Sequence, residues 1–117
     1  MDVGERGSQA VEFALILPAV LLLAMLLLHV AVLGSEFVAA EALAAQAARA
    51  AAVDGPDAAR AAVARHGPRG ASVQVRRRPG VHDDADWYVA ELRAPSSAFG
   101  VLGARLQVRG RGWARAE

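Results

Sequence analysis

Residues 5–33 read ERGSQAVEFALILPAVLLLAMLLLHVAVL, and their composition decides how the chain must be housed. From Phe13 to Leu33 no side chain is formally charged at neutral pH, His29 being the one titratable group. Twenty-one helical residues at about 1.5 Å each reach roughly 30 Å, the thickness of a bilayer's hydrocarbon core. A transmembrane helix is therefore expected here. A secretory signal peptide differs in having a basic head, an apolar stretch of only about 7–15 residues and a small-residue cleavage site. The sequence VAVLGSEF, around Ala31 to Gly34, is a poor match to such a site. Glu12, a carboxylate at the threshold of this run, needs a partner or the headgroup region to offset its desolvation.

The rest of the composition narrows the function. At 117 residues, with 55% of them hydrophobic and a mean hydropathy of +0.27, the chain suits one small membrane-anchored domain. All 13 basic residues are arginine, and the net charge of +1 gives no reason to expect a nucleic-acid partner. Cysteine is absent, which excludes disulfides, thiolate metal sites and cysteine nucleophiles. No phosphate-cradling glycine loop and no histidine within a serine or carboxylate set is visible, so neither an enzyme nor a bound cofactor is expected. Pro18, one turn into the apolar run, removes a backbone donor and can bend the helix. Arg6 is the only basic residue before the run and Arg49 the first after it, which tips orientation slightly toward a cytoplasmic N-terminus.

Gly7 and Ser8, then Glu12 as the fifth residue counted from Ser8, then Phe13 and an apolar run containing Pro18, resemble the class III signal of type IV pilins and pseudopilins. More narrowly, GSQAVEFALILP resembles the TadE family of minor pseudopilins from the Tad (Flp-type, type IVb) pilus system. The resemblance implies cleavage between Gly7 and Ser8 by a membrane-embedded prepilin peptidase. It also implies a helix that stays with the mature protein as anchor and assembly surface. The expected parts are then a cleaved leader (residues 1–7), a transmembrane assembly helix (8–34) and an exported α+β domain (35–117). Cleavage would free the Ser8 amine, with a reference pKa of roughly 7.7–8.0, to meet Glu12 of a neighbouring chain, each charge offsetting the other's desolvation. Glu12 and Phe13 are the expected assembly residues. The implied partners are the prepilin peptidase, the major Flp-type pilin, other pseudopilins and the inner-membrane Tad assembly platform. The implied location is the cytoplasmic membrane, in a single pass with the C-terminal domain extracytoplasmic.

Beyond Leu33 the sequence GSEFVAAEALAAQAARAAAV continues a helix, since alanine has the highest helix propensity. Glu41, Ala45 and Arg49 fall on one stripe; Phe37, Ala40, Ala44, Ala47 and Ala51 form an apolar face of mainly small side chains. DGPD (54–57) ends that helix, Pro56 suits the first position of another, and Asp54 or Asp57 can serve its exposed amides. Gly67 and Pro68 stop the second helix.

The remainder has a period of two. ASVQVRRR (71–78), DWYVAELR (86–93) and ARLQVRGRGWARAE (104–117) alternate as half-buried strands do. Val73 and Val75 share a face, as do Tyr88, Ala90 and Leu92, and Leu106 and Val108. The expected fold is α+β, with a long N-terminal helix, a short second helix and a three-stranded antiparallel sheet packed on the alanine-rich helix. Pro79 and Gly80 form a turn that brings the basic end of one strand beside the acidic start of the next. His82, Asp83, Asp84 and Asp86 lack the spacing of a hard-cation loop, so no metal site is expected. In APSSAFGVLG (94–103), Ser96 and Ser97 are turn residues, while Phe99, Val101 and Leu102 either plug the core's edge or face a partner. The functional expectation is a structural minor pseudopilin. The alternative is an uncleaved, signal-anchored envelope protein with a small extracytoplasmic binding domain.

Overall fold

The computed structural model describes residues 2–82 and 85–116. Its element order is helix α1 (Asp2–Asp54), helix α2 (Pro56–His66), strands β1 (Ser72–Arg78) and β2 (Trp87–Pro95), a 3-10 turn (Gly100–Leu102) and strand β3 (Gln107–Arg115). The architecture is α+β, as the periodicities predict. The chain divides into two compact units, residues 1–31 and 32–117.

The first unit is helix alone. α1 continues without interruption through Pro18, the lost backbone hydrogen bond being tolerable in an otherwise unbroken ladder. Its 18-residue apolar window has a mean hydropathy of 2.8, and none of that window is buried within the chain. This is one helix long and apolar enough to span a membrane.

The second unit contains the core. The sheet is a meander in the order β1-β2-β3, antiparallel throughout. Ala40, Ala44, Ala47 and Ala51 of α1 are buried as their shared face predicts, and Leu43 and Ala48 widen that face. Phe37 is left out of it, at 49% exposure. Ala59 and Val63 of α2 join the same cluster with Ala90 and Leu92 of β2 and Val108 of β3, while Val73, Val75, Tyr88 and Ala114 pack against it. Leu106 is 38% exposed and precedes β3 rather than sharing its buried face. β2 runs two residues past its expected end, to Pro95, paired with Gln107.

The core is built from small side chains; Leu92 is the largest one fully enclosed. What compensates is closeness. A Cβ added at Gly110 would collide with the backbone carbonyl of Ala40, and one added at Gly112 with the carbonyl of Ala44. The two glycines share the inner face of β3, opposite Leu92 and Ala90. Helix and strand thus approach backbone to backbone, which only glycine on the strand allows.

The connections match the sequence signals. Gly55 is the N-cap of α2, with φ 92°, and Pro56 is the first helical residue. Asp57 in the first turn pairs with Arg60 at 2.9 Å rather than capping the helix end. The Gly67 amide donates to the Val63 carbonyl at 2.8 Å and closes the helix. In the β2–β3 connection Ala98 is the residue that plugs the core, whereas Val101 and Leu102 are 84% and 78% exposed.

If the close approach holds the unit together, Gly112→Ala lowers stability by about 1–3 kcal/mol or more through overpacking. In a domain of this size that is at least about 4 °C in Tm. Gly100→Ala, where an added Cβ meets nothing within 4 Å, should melt with the wild type. Circular dichroism melts of the full chain in detergent decide it; a Gly112→Ala chain as stable as Gly100→Ala would mean that helix and strand stand further apart.

Candidate functional site

The residues marked by the sequence, Gly7, Ser8, Glu12 and Phe13, all lie on α1. Each is exposed. Ser8 and Glu12 are four residues apart and so share a helix face one turn from each other. Gly7 has open space around its Cβ position, and it stands within the helix rather than in extended backbone. A protease that cuts after Gly7 must therefore first unwind the leading turns. Helix ends fray most easily, and glycine, the least helix-favouring residue after proline, lowers that cost.

The helix that follows is apolar on every side. Phe13, Leu15, Leu22 and Leu28 are 67%, 72%, 69% and 63% exposed, at positions that point in different directions around the axis. Such a surface requires hydrocarbon or neighbouring helices around it. Among the described residues Glu12 has no hydrogen-bond or ion-pair partner within the chain. It is the carboxylate adjoining a surface that cannot remain in water. His29, further along, donates from Nδ1 to the Met25 carbonyl at 2.7 Å, a local backbone bond that fits a histidine within a helix.

Glu36, also on α1, presents the opposite situation. Its Oε1 accepts the Ser97 backbone amide at 3.0 Å and the Ser97 hydroxyl at 2.5 Å. Its Oε2 accepts the Ser96 hydroxyl, whose Oγ in turn accepts the Ala98 amide at 3.1 Å. The Ser96 and Ser97 hydroxyls, reinforced by the Ser97 amide against a desolvation effect of opposite sign, hold the Glu36 carboxyl below its ordinary pKa. This clamp ties the β2–β3 connection to α1. Sequence reasoning missed it, because the partners lie 60 and 61 residues apart and serines after a proline read as an ordinary turn. Beside the clamp lies an apolar recess of about 440 Å³ bordered by Leu43, Gly67, Leu92 and Val108.

The expected charge pairing at the β1–β2 turn is present: Arg77 Nε donates to Asp86 Oδ2 at 2.5 Å, with a second bond from its Nη2. Asp86, by hydrogen bond and by charge, raises the Arg77 pKa. Asp86 is therefore engaged by a guanidinium. Asp83 and Asp84 lie outside the described residues, and among the described residues no group of three or more histidines and carboxylates could hold a metal. No protein-family model matches the chain, and neither a curated protein nor a solved structure is significantly similar to it.

The clamp has a pH signature. A carboxyl whose folded pKa is lowered adds stability that is fully present above its unfolded value, about 4.3, and that is lost as pH falls through the folded value. Hydrogen exchange at Ser97, corrected for intrinsic rate, should lose protection in acid below about pH 4. In Glu36→Gln the loop should be less protected at neutral pH, without that acid step. The same acid profile in both chains would exclude Glu36 as its source.

Proposed function

We propose that this chain is a minor pseudopilin of a Tad-type pilus, cut between Gly7 and Ser8 and assembled through its N-terminal helix. The observation that carries the reading is the exposed Glu12, without a partner among the described residues, one turn beyond Ser8 on a helix whose following run is apolar all round. Removal of residues 1–7 puts a new ammonium at Ser8. In a bundle of such helices, that ammonium and Glu12 of a neighbouring chain meet in a low-dielectric setting. There an unpaired charge is costly and a pair is tolerated.

The uniform apolar surface supports the same reading from a second side. It can face lipid while the subunit waits in the cytoplasmic membrane and face other helices once the subunit joins a filament. Pilus incorporation thus exchanges lipid for helix contacts, with little hydrophobic driving force of its own. The Ser8–Glu12 pair would then set the register. The α+β unit adds more than a helix alone would need, which favours a minor component over the major pilin. The major Flp-type pilin, other pseudopilins and the inner-membrane assembly platform are the partners this role requires.

Co-expression with a prepilin peptidase, followed by N-terminal sequencing and intact mass, tests the first step: the product should begin at Ser8, and Gly7→Val should remain uncut. Glu12→Leu should still be processed yet fail to enter filaments, while Glu12→Asp should retain part of that ability. A wild-type chain that still begins at Met1 in the presence of active peptidase would leave the signal-anchored envelope protein as the better description.

A further inference from the structure

Strand pairing collects on the outer face of the sheet a set of side chains that an assembly role for α1 does not use. β1 places Arg76 and Arg78 there, β2 places Arg93, and β3 places Arg109, Arg111 and Arg115. All six are exposed. Within the three strands Glu91 is the one acid on this face, and it is already bonded to Arg111 at 3.0 Å. Arg93 and Arg109 stand directly opposite each other. Like charges at paired positions destabilise a sheet; Glu91 and, from α1, Glu41 border the same recess as Arg93, Arg109 and Arg111, leaving arginine in excess there.

Two indoles lie among the guanidinium groups. Trp113 is paired with Val89 and Trp87 with Arg115, one diagonal step apart on the same face, and they are 50% and 40% exposed. With Arg78, Pro79, Gly80 and Val81 they border a recess of about 410 Å³. The Arg78 guanidinium carbon lies 5.8 Å from the centre of the Trp113 ring, within cation–π range.

We infer that this face binds single-stranded nucleic acid, its phosphates on the arginine rows and its bases stacked on Trp87 and Trp113. Arginine presents a planar fork that matches phosphate oxygens. Outward side chains repeat about every 6.8 Å along a strand and about every 4.8 Å across strands, so an extended polyanion meets one guanidinium after another. Exposed aromatic rings within a basic surface are the other half of sequence-tolerant single-strand binding. A duplex keeps its base faces inside the stack and offers the indoles nothing. Arginine and tryptophan also occur in protein–protein contacts; six arginines on this face against one acid within the strands select a polyanion over a protein surface of mixed charge. In the sequence only Arg76 to Arg78 are contiguous, and Arg77 turns to the other face to meet Asp86. The concentration of charge therefore arises from strand pairing. It is independent of whether the chain is cut at Gly7.

Both tryptophans of the chain lie on this face, so tryptophan fluorescence, excited selectively over Tyr88, reports on it alone. The full chain in zwitterionic detergent micelles is titrated with a thymidine oligonucleotide of about 15 residues, a length that spans a typical single-strand site. Saturable quenching is expected. With four to six phosphates engaged, affinity should fall roughly 50- to 300-fold between 50 and 200 mM salt. Arg93→Ala with Arg109→Ala should weaken binding and reduce the salt slope by about 1.4, while leaving the melting temperature unchanged or higher because a repulsive pair is removed. Trp113→Ala should weaken binding with the salt slope retained. No quenching at 50 mM salt would overturn the proposal. So would equal affinity for a duplex, for poly-glutamate or for phosphatidylglycerol-doped micelles, which would point instead to backbone attraction alone, an acidic protein or an anionic lipid surface.

Discussion

The contact between Gly110 and Gly112 of β3 and the backbone of α1 at Ala40 and Ala44 is what the rest of the second unit depends on. A core whose largest enclosed side chain is one leucine removes little apolar area from water, and small domains are marginal for that reason. Here stability must come from packing backbone on backbone, where alanine and glycine lose little or no side-chain freedom. The same contact fixes the register of β3. A shift by one residue would turn Arg109, Arg111 and Trp113 toward the helix, where there is no room even for a methyl group. The alternation RGRGWAR (109–115) therefore serves two faces at once: its small residues make the inner surface flat, and its large ones are all driven outward.

The two carboxylates on α1 show how position along one helix changes what a charge requires. Glu36 accepts from three donors of its own chain, the Ser96 hydroxyl and the Ser97 hydroxyl and amide. It is a closed structural contact, and its lowered pKa follows from those donors. Glu12 adjoins a surface that is apolar in every direction and has no such donors among the described residues. Its carboxylate is exposed on the helix surface. A helix of one sequence thus contains one acid bonded into the fold and another left exposed beside an apolar run.

Much of this architecture was legible in the sequence because the signals are local. The apolar run, the alanine spine, Pro56 at a helix start, the Gly67 stop and the period-two strands each follow from neighbours a few residues away. What was not legible depends on pairs far apart. Nothing near Ser96 indicates Glu36, and nothing in VRGRG says that its glycines face Ala40 and Ala44 rather than solvent. Phe37 shows the limit of periodicity from the other direction: it has the right spacing for the buried face yet is half exposed. Leu106 fails as well, since the strand it was expected to share with Val108 begins only at Gln107.

The distribution of arginine follows from the same geometry. Where β3 meets Ala40 and Ala44, its inner positions Gly110 and Gly112 cannot accept large side chains, so the bulk that this stretch of β3 carries must appear on the other side. That accounts for the location of Arg109, Arg111 and Trp113 but not for their identity. Solubility would be served as well by lysine, glutamate or threonine, and alternating signs across the strands would stabilise the sheet. The Glu91–Arg111 pair follows that rule; the Arg93–Arg109 pair beside it breaks it. A rule of sheet energetics obeyed at one rung and broken at the next indicates that folding alone does not determine the residues on this face. Glu41 of α1, which borders one recess with Glu91, Arg93, Arg109 and Arg111, supplies negative charge from outside the sheet, and two carboxylates beside three guanidinium groups leave the recess basic.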